Sequence, residues 1–175
     1  MAGLFGRIFG PDQYTISDLM SLDDGRISKS SQLDVKLDKV FHRIQKESIW
    51  NKIKNLFSRN KSSINLYYID IRYRVKSPSG SEYIVLIEMN PSFDPNKFFS
   101  NPVKIYCQCD DFKYRCAYNL NKRGNVLRGD RIDTELGQAL TDAPKKNFKT
   151  SPACKHVYAC LSDLQKNYRN IINSL

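Results

Sequence analysis

Apolar residues keep three different rhythms along this chain. The clearest is at the C-terminal end. Val157, Cys160, Leu161, Leu164, Tyr168, Ile171, Ile172 and Leu175 recur at three- and four-residue steps, which predicts one amphipathic helix. Ser151–Pro152 can supply its cap and first turn, although a start nearer His156 suits the chemistry below better. Residues 63–76, "SINLYYIDIRYRVK", alternate instead. Tyr67, Ile69, Ile71, Tyr73 and Val75 fall on one face, and Tyr68, Asp70, Arg72, Arg74 and Lys76 on the other. "SPSGS" then turns the chain into "EYIVLIEMN", which predicts a β-hairpin. After a proline-punctuated loop, "VKIYCQC" from Val103 to Cys109 predicts a further strand.

The third rhythm lies upstream. Leu33, Leu37, Val40, Phe41 and Ile44 are spaced by four, three, one and three, which predicts a helix. Ile49, Trp50, Ile53, Leu56 and Phe57 continue it with a slip of about one residue. The expected element therefore runs over 33–60, with a kink near Lys46–Ser48. Residues 1–32 carry little sustained period and are expected to form an N-terminal arm, with Leu4, Phe5, Ile8 and Phe9 clustered at its tip to dock on a partner. Residues 33–175 are then one α+β domain: a helix, a small antiparallel sheet, a 44-residue insertion from Asp110 to Ala153, and the C-terminal helix. No internal repeat is visible.

Composition changes this picture in two ways. Hydrophobic residues make up 41% of the 175 positions, enough for a core. The 28 Lys and Arg against 18 Asp and Glu leave a net charge of +10, which favours a polyanionic neighbour. No run of apolar residues reaches the roughly 18 needed for a membrane helix, so no membrane partner is expected. "MAGLFGRIFGPDQY" is too short and glycine-rich for a signal-peptide core. Five cysteines in that setting point to a reducing compartment and to metal binding or free thiols rather than disulfides.

Two of the thiols sit one residue apart. On a strand, Cys107 and Cys109 share a face; if the strand ends there, both sulfurs can turn onto one ion. Cys154 and His156 repeat the spacing at the head of the last helix, and both can reach that ion only if the helix starts near His156. Three thiolates and an imidazole form a closed tetrahedral set for zinc. Cys160 lies on the apolar stripe and Cys116 in "FKYRCAY"; both are expected to be packing residues. His42 lies beside an apolar stripe and is not expected to be a ligand.

"CQC" followed by "CKH" resembles the SWIM zinc finger, C-x-C…C-x-H, over about residues 103–165. The resemblance implies zinc on Cys107, Cys109, Cys154 and His156, a strand–strand–helix core, and binding of DNA or protein. The insertion is longer than that family usually carries. The phrase "CDDFKYRCAYNLNKRG…APKKN…CKH" is similar to a subset of SWIM-like proteins found among the virion structural proteins of tailed bacteriophages.

Catalysis is not expected. The ligand set leaves no open position for water, and no H-E-x-x-H or zinc-deaminase motif is present. Asp110 and Asp111 are expected to cap the turn or support the ligands. Lys52, Lys54 and Arg59, in a stretch from Arg43 to Lys61 whose one acid is Glu47, are candidate phosphate contacts. Arg72, Arg74 and Lys76 beside Tyr68 are a second candidate nucleic-acid surface. The expectation is a zinc-binding structural protein of a tailed-phage virion, associated with capsid, portal or neck and able to touch packaged DNA. The alternative is a SWIM-type module binding DNA or protein outside a virion.

Overall fold

The alternation in residues 66–76 becomes the second strand of a four-stranded antiparallel sheet. The computed structural model describes residues 13–23, 25–45, 66–89, 95–143 and 151–173. In chain order its strands are β1 (Asp34–Gln45), β2 (Leu66–Lys76), β3 (Glu82–Met89) and β4 (Val103–Cys107), and their order in the sheet is the same. The fold is α+β. Ile69, Ile71, Tyr73 and Val75 of β2 are buried on one face, as the period of two requires. The β2–β3 turn closes through Ser77 N–H to Ser81 O at 2.8 Å and Gly80 N–H to Ser77 O at 2.9 Å. Gly80 holds φ at +87°, a left-handed conformation that side chains disfavour.

Residues 34–45 are not helical; they form β1. The pairing explains the helical-looking spacing. Val35 lies opposite Val75 and Leu37 opposite Tyr73, the register then shifts between Leu37 and Lys39, and Val40 lies opposite Ile71. The extra residue is a β-bulge, which moves the inward phase from odd to even positions. The three-residue step from Leu37 to Val40 is thus a bulge and not a helical turn. Phe41, counted on the helical stripe, is an exposed residue opposite Asp70, with the Lys39 ammonium 5.9 Å from its ring centroid. The rest of that expected helix, residues 46–60, lies outside the described residues.

The described half of the arm also differs from expectation. Residues 13–32 contribute α1 (Ile16–Ser21) and α2 (Arg26–Ser30), and Ile16 and Leu19 are fully buried in the core shared with the sheet. Thr15 caps α1 through a reciprocal bond set with Asp18, which satisfies N-terminal N–H groups locally. Tyr14 binds Asn125 from both sides: its N–H donates to Asn125 Oδ1 at 2.9 Å, and its carbonyl accepts from Asn125 Nδ2 at 2.8 Å. Asn125 also donates to the Val103 carbonyl at 2.6 Å. This buried amide joins arm, insertion and β4.

The insertion is built on the same core. A π-helical turn, Phe112–Cys116, runs into α3 (Ala117–Lys122). Residues 125–127 then lie along the free edge of β4, with Ile105 N–H donating to Asn125 O at 2.8 Å and Leu127 N–H to Ile105 O at 3.0 Å. α4 (Asp130–Leu136) follows, and then α5 (Lys155–Asn173). The α5 stripe is as expected where described: Val157, Cys160, Leu161, Leu164 and Ile171 are buried. Tyr168 packs its ring 5.5 Å from that of Phe98.

Candidate metal centre

β4 ends at Cys107 and α5 begins at Lys155, so each pair sits at the end of an element. The strand end is pinned on both sides of the backbone. Gln108 N–H donates to Ile84 O, and Gln108 Oε1 accepts from Ile84 N–H, each at 3.1 Å. The side chain therefore replaces the next rung of the ladder, and the chain turns so that Cys107 and Cys109 face one point. At the helix, Cys154 O accepts from Tyr158 N–H at 3.1 Å, which makes Cys154 the residue that opens the first turn. Ser151 does not cap it; its hydroxyl donates to Ala153 O at 3.0 Å.

Cys107, Cys109, Cys154 and His156 converge, with one ligand atom from each lying within 4.8 Å of all the others. A tetrahedral zinc with sulfur at about 2.3 Å needs ligand atoms roughly 3.8 Å apart, so a slight contraction closes the set. His156 Nδ1 is already 3.9 Å from Cys107 Sγ. All four residues are buried, none more than 3% exposed. Gathering three buried thiols and an imidazole, none in a disulfide, is what a cation requires and what plain packing does not. These donors can hold a metal ion, and soft thiolates with one imidazole suit zinc.

The thiols differ in electrostatic state. Burial pushes Cys107 and Cys154 well above the ordinary thiol range. Cys109 is held well below it, because S–H groups of Cys107 and Cys154 donate to its sulfur. Phe112 N–H also donates to Cys109 Sγ, at 3.3 Å. A bound ion would take the place of the protons on these thiols.

The surroundings hold features invisible to spacing arguments. The ring of Tyr83 lies 4.5 Å from that of His156, tilted by 33°. With Nδ1 turned to the cluster, His156 Nε2 is buried without a hydrogen-bond partner among the described residues, so the imidazole is held by ring packing rather than by a polar second partner. Asp111 is not among the clustered ligands and makes no side-chain cap. It pairs instead with Arg26 and, at 3.3 Å, with Arg115. Asp110 is exposed. Cys116 and Cys160 are buried outside the cluster, and the Cys116 thiol donates to Asp111 O at 3.7 Å.

Carboxylates stand among the cations of the sheet face. Arg72 and Arg74 both pair with Asp38, at 2.9 and 3.2 Å, and Arg74 also meets Glu82 at 3.2 Å. Asp38 stands at the β1 bulge, which brings it between the two arginines. Tyr68 is 7% exposed and offers no open ring face. Lys76 makes no ion pair among the described residues, and it is exposed at the strand end. Lys52, Lys54 and Arg59, and the arm-tip residues Leu4, Phe5, Ile8 and Phe9, lie outside the described residues. No helix among the described residues is long and apolar enough to cross a membrane. Comparison of the chain with protein-family models, curated proteins and solved structures gives no match.

Proposed function

We propose that this chain is a zinc-stapled structural protein of a tailed-phage virion, seated at the capsid, portal or neck. The observation that carries the reading is the closed, buried donor set of Cys107, Cys109, Cys154 and His156. Four protein ligands with no exposed side leave neither a water position nor a path for substrate, which favours a structural ion over a catalytic one. The ion would join β4 to α5 across the insertion and hold a small basic domain rigid. The resemblance of residues 103–165 to SWIM-like virion proteins supplies the setting, and the apolar tip at Leu4, Phe5, Ile8 and Phe9 supplies a means of attachment.

The test is metal analysis of the purified protein together with co-purification against the products of neighbouring genes. One zinc per chain and retention by a capsid, portal or neck protein are expected. Deleting residues 1–12 should keep the zinc and abolish incorporation into particles. A chain absent from particles that shifts DNA at moderate salt would instead favour a SWIM-type DNA- or protein-binding module outside a virion.

A further inference from the structure

The four donors are sealed from solvent, so an ion held there leaves only when part of the surrounding wall moves. The walls are not equally hard to move. β3, β4 and α5 carry Val85, Ile87, Ile105, Val157 and Leu161, all buried, and displacing any of these elements opens the core. The loop after β4 is different. It carries Cys109, and it is fastened at its near end by Gln108 to Ile84 and at its far end through Asp111.

Asp111 makes ion pairs in two directions. Arg115 lies one turn ahead on the same segment, so that pair travels with the loop. Arg26 lies on α2, in the N-terminal segment. Its side chain is 12% exposed and that of Asp111 30%, so the contact is partly withdrawn from water and less screened than a surface pair. α2 also packs against α5, the helix that starts beside Cys154 and carries His156. It therefore bridges the same two parts that a metal ion would join: the thiol loop through Arg26, and the ligand helix through packing.

Of these parts α2 is the cheapest to displace. It has five residues, too few to hold a helix alone. Its N-terminal N–H groups are satisfied within the segment, since Asp23 Oδ1 accepts from Arg26 and Ile27 N–H at 2.7 and 3.0 Å. That cap survives undocking. Against the core α2 sets the partly buried Ile27 and the buried Ser30, a small apolar contact. Units of this kind open well before the global unfolding of a domain.

We propose that Arg26 is a latch on the metal centre: the ion exchanges only after α2 has let go of Asp111, so the N-terminal segment sets the rate of metal release. Arg26 touches no ligand atom and acts through Asp111, as a positioning residue. Coupling of this kind is reciprocal, so bound metal also holds α2 down. An N-terminal segment anchored in an assembly would keep the latch shut and the ion in place. The inference rests on the reading that the cluster holds a metal ion.

The test is the rate at which the full chain, loaded with one equivalent of Zn²⁺, yields it to an excess of a chromophoric chelator. Arg26→Ala should speed release about tenfold, within the five- to thirtyfold range that loss of such a contact carries. Asp111→Asn should do the same, and Arg26→Lys, which keeps the charge, should restore release to within about threefold of the parent. Phe98→Leu is the control for general loosening. Phe98 is buried and packs on Tyr168, about 18 Å along α5 from His156 at 1.5 Å per residue, and its loss should change release less than twofold. Removing zinc should speed amide exchange at residues 26–30 at least fivefold in the parent and leave it unchanged in Arg26→Ala. The Co²⁺-substituted parent and Arg26→Ala should share one absorption spectrum, because the ligands are the same. Equal release rates with and without Arg26, or equal acceleration by Phe98→Leu, would overturn the latch while leaving the metal reading intact. Altered Co²⁺ bands in Arg26→Ala would overturn it too, by making the residue a determinant of coordination. A parent that takes up no zinc or Co²⁺ overturns both.

Discussion

The guanidinium of Arg26 rests on the carboxylate of Asp111, 85 residues along the chain and two residues beyond Cys109. Arg26 lies on α2, so this ion pair ties the N-terminal helices to the loop that carries two of the clustered thiols. Asp111→Asn removes the charge while keeping the shape. It should retain one metal per chain and lose about 1–2 kcal/mol of stability, the scale of a half-buried charge-assisted contact. Arg26→Ala should lose a similar amount, and faster amide exchange in residues 26–30 should accompany both. Loss of metal on Asp111→Asn would make that carboxylate a ligand and reopen hydrolytic chemistry.

The metal itself has the largest expected effect. Structural zinc in finger peptides carries on the order of 10–16 kcal/mol of coupled folding at neutral pH. This domain also has an apolar core, so chelation should leave part of the fold while lowering the melting temperature by on the order of 10 °C or more. Cys107→Ser and Cys154→Ser should each abolish stoichiometric binding. Acid should weaken binding in the unaltered protein, since every thiolate competes with protons. Metal content near zero in well-folded protein, or an oxidised Cys107–Cys109 pair, would refute the zinc reading.

Tyr83 tests how the imidazole is held. Its ring packs on His156, and Nε2 has no polar anchor among the described residues. Tyr83→Phe should leave metal affinity within a factor of about two, because the ring face is kept. Tyr83→Ala should weaken it by about tenfold, the low end of what supporting residues contribute. Competition with a chromophoric chelator reads both. Equal loss in the two variants would mean that the hydroxyl, not the ring, orients His156.

Alkaline stability should depend on Tyr73. Burial, followed by the nearby Asp163 and Cys160, raises this phenol above its ordinary value of 10.0. The folded state therefore keeps the neutral form, and the stability it contributes is complete below pH 10 and lost as pH rises above it. Tyr73→Phe deletes that titration. The variant should lie within about 1 kcal/mol of the parent at pH 8 and gain about 1 kcal/mol relative to it by pH 11. Denaturant midpoints at the two pH values measure the difference. A parent–variant gap independent of pH would show that Tyr73 does not stay neutral in the folded protein.

Short-range patterns determined much of this protein by themselves. The stripe from Val157 to Ile171 specifies α5 because one helical face must be apolar, and the alternation in β2 specifies a half-buried strand for the same reason at a period of two. The "CQC" and "CKH" pairs gave the four clustered residues, since a one-residue spacing converges only at a strand end or a helix start. Tertiary structure decided the rest. Leu37 and Val40 fit a helical turn and a bulged strand equally well, and pairing with Tyr73 and Ile71 of β2 selected the strand. The same bulge placed Asp38 between Arg72 and Arg74, so that the two cations share one carboxylate, a pairing that the alternation alone does not record. Arg26 with Asp111, Tyr83 with His156 and Tyr14 with Arg123 join residues far apart in the chain. No local period records such pairs: the first and third exist because burying Ile16 and Leu19 against the sheet folds the N-terminal segment back onto the insertion, and the second because the apolar stripe of α5 packs on the sheet.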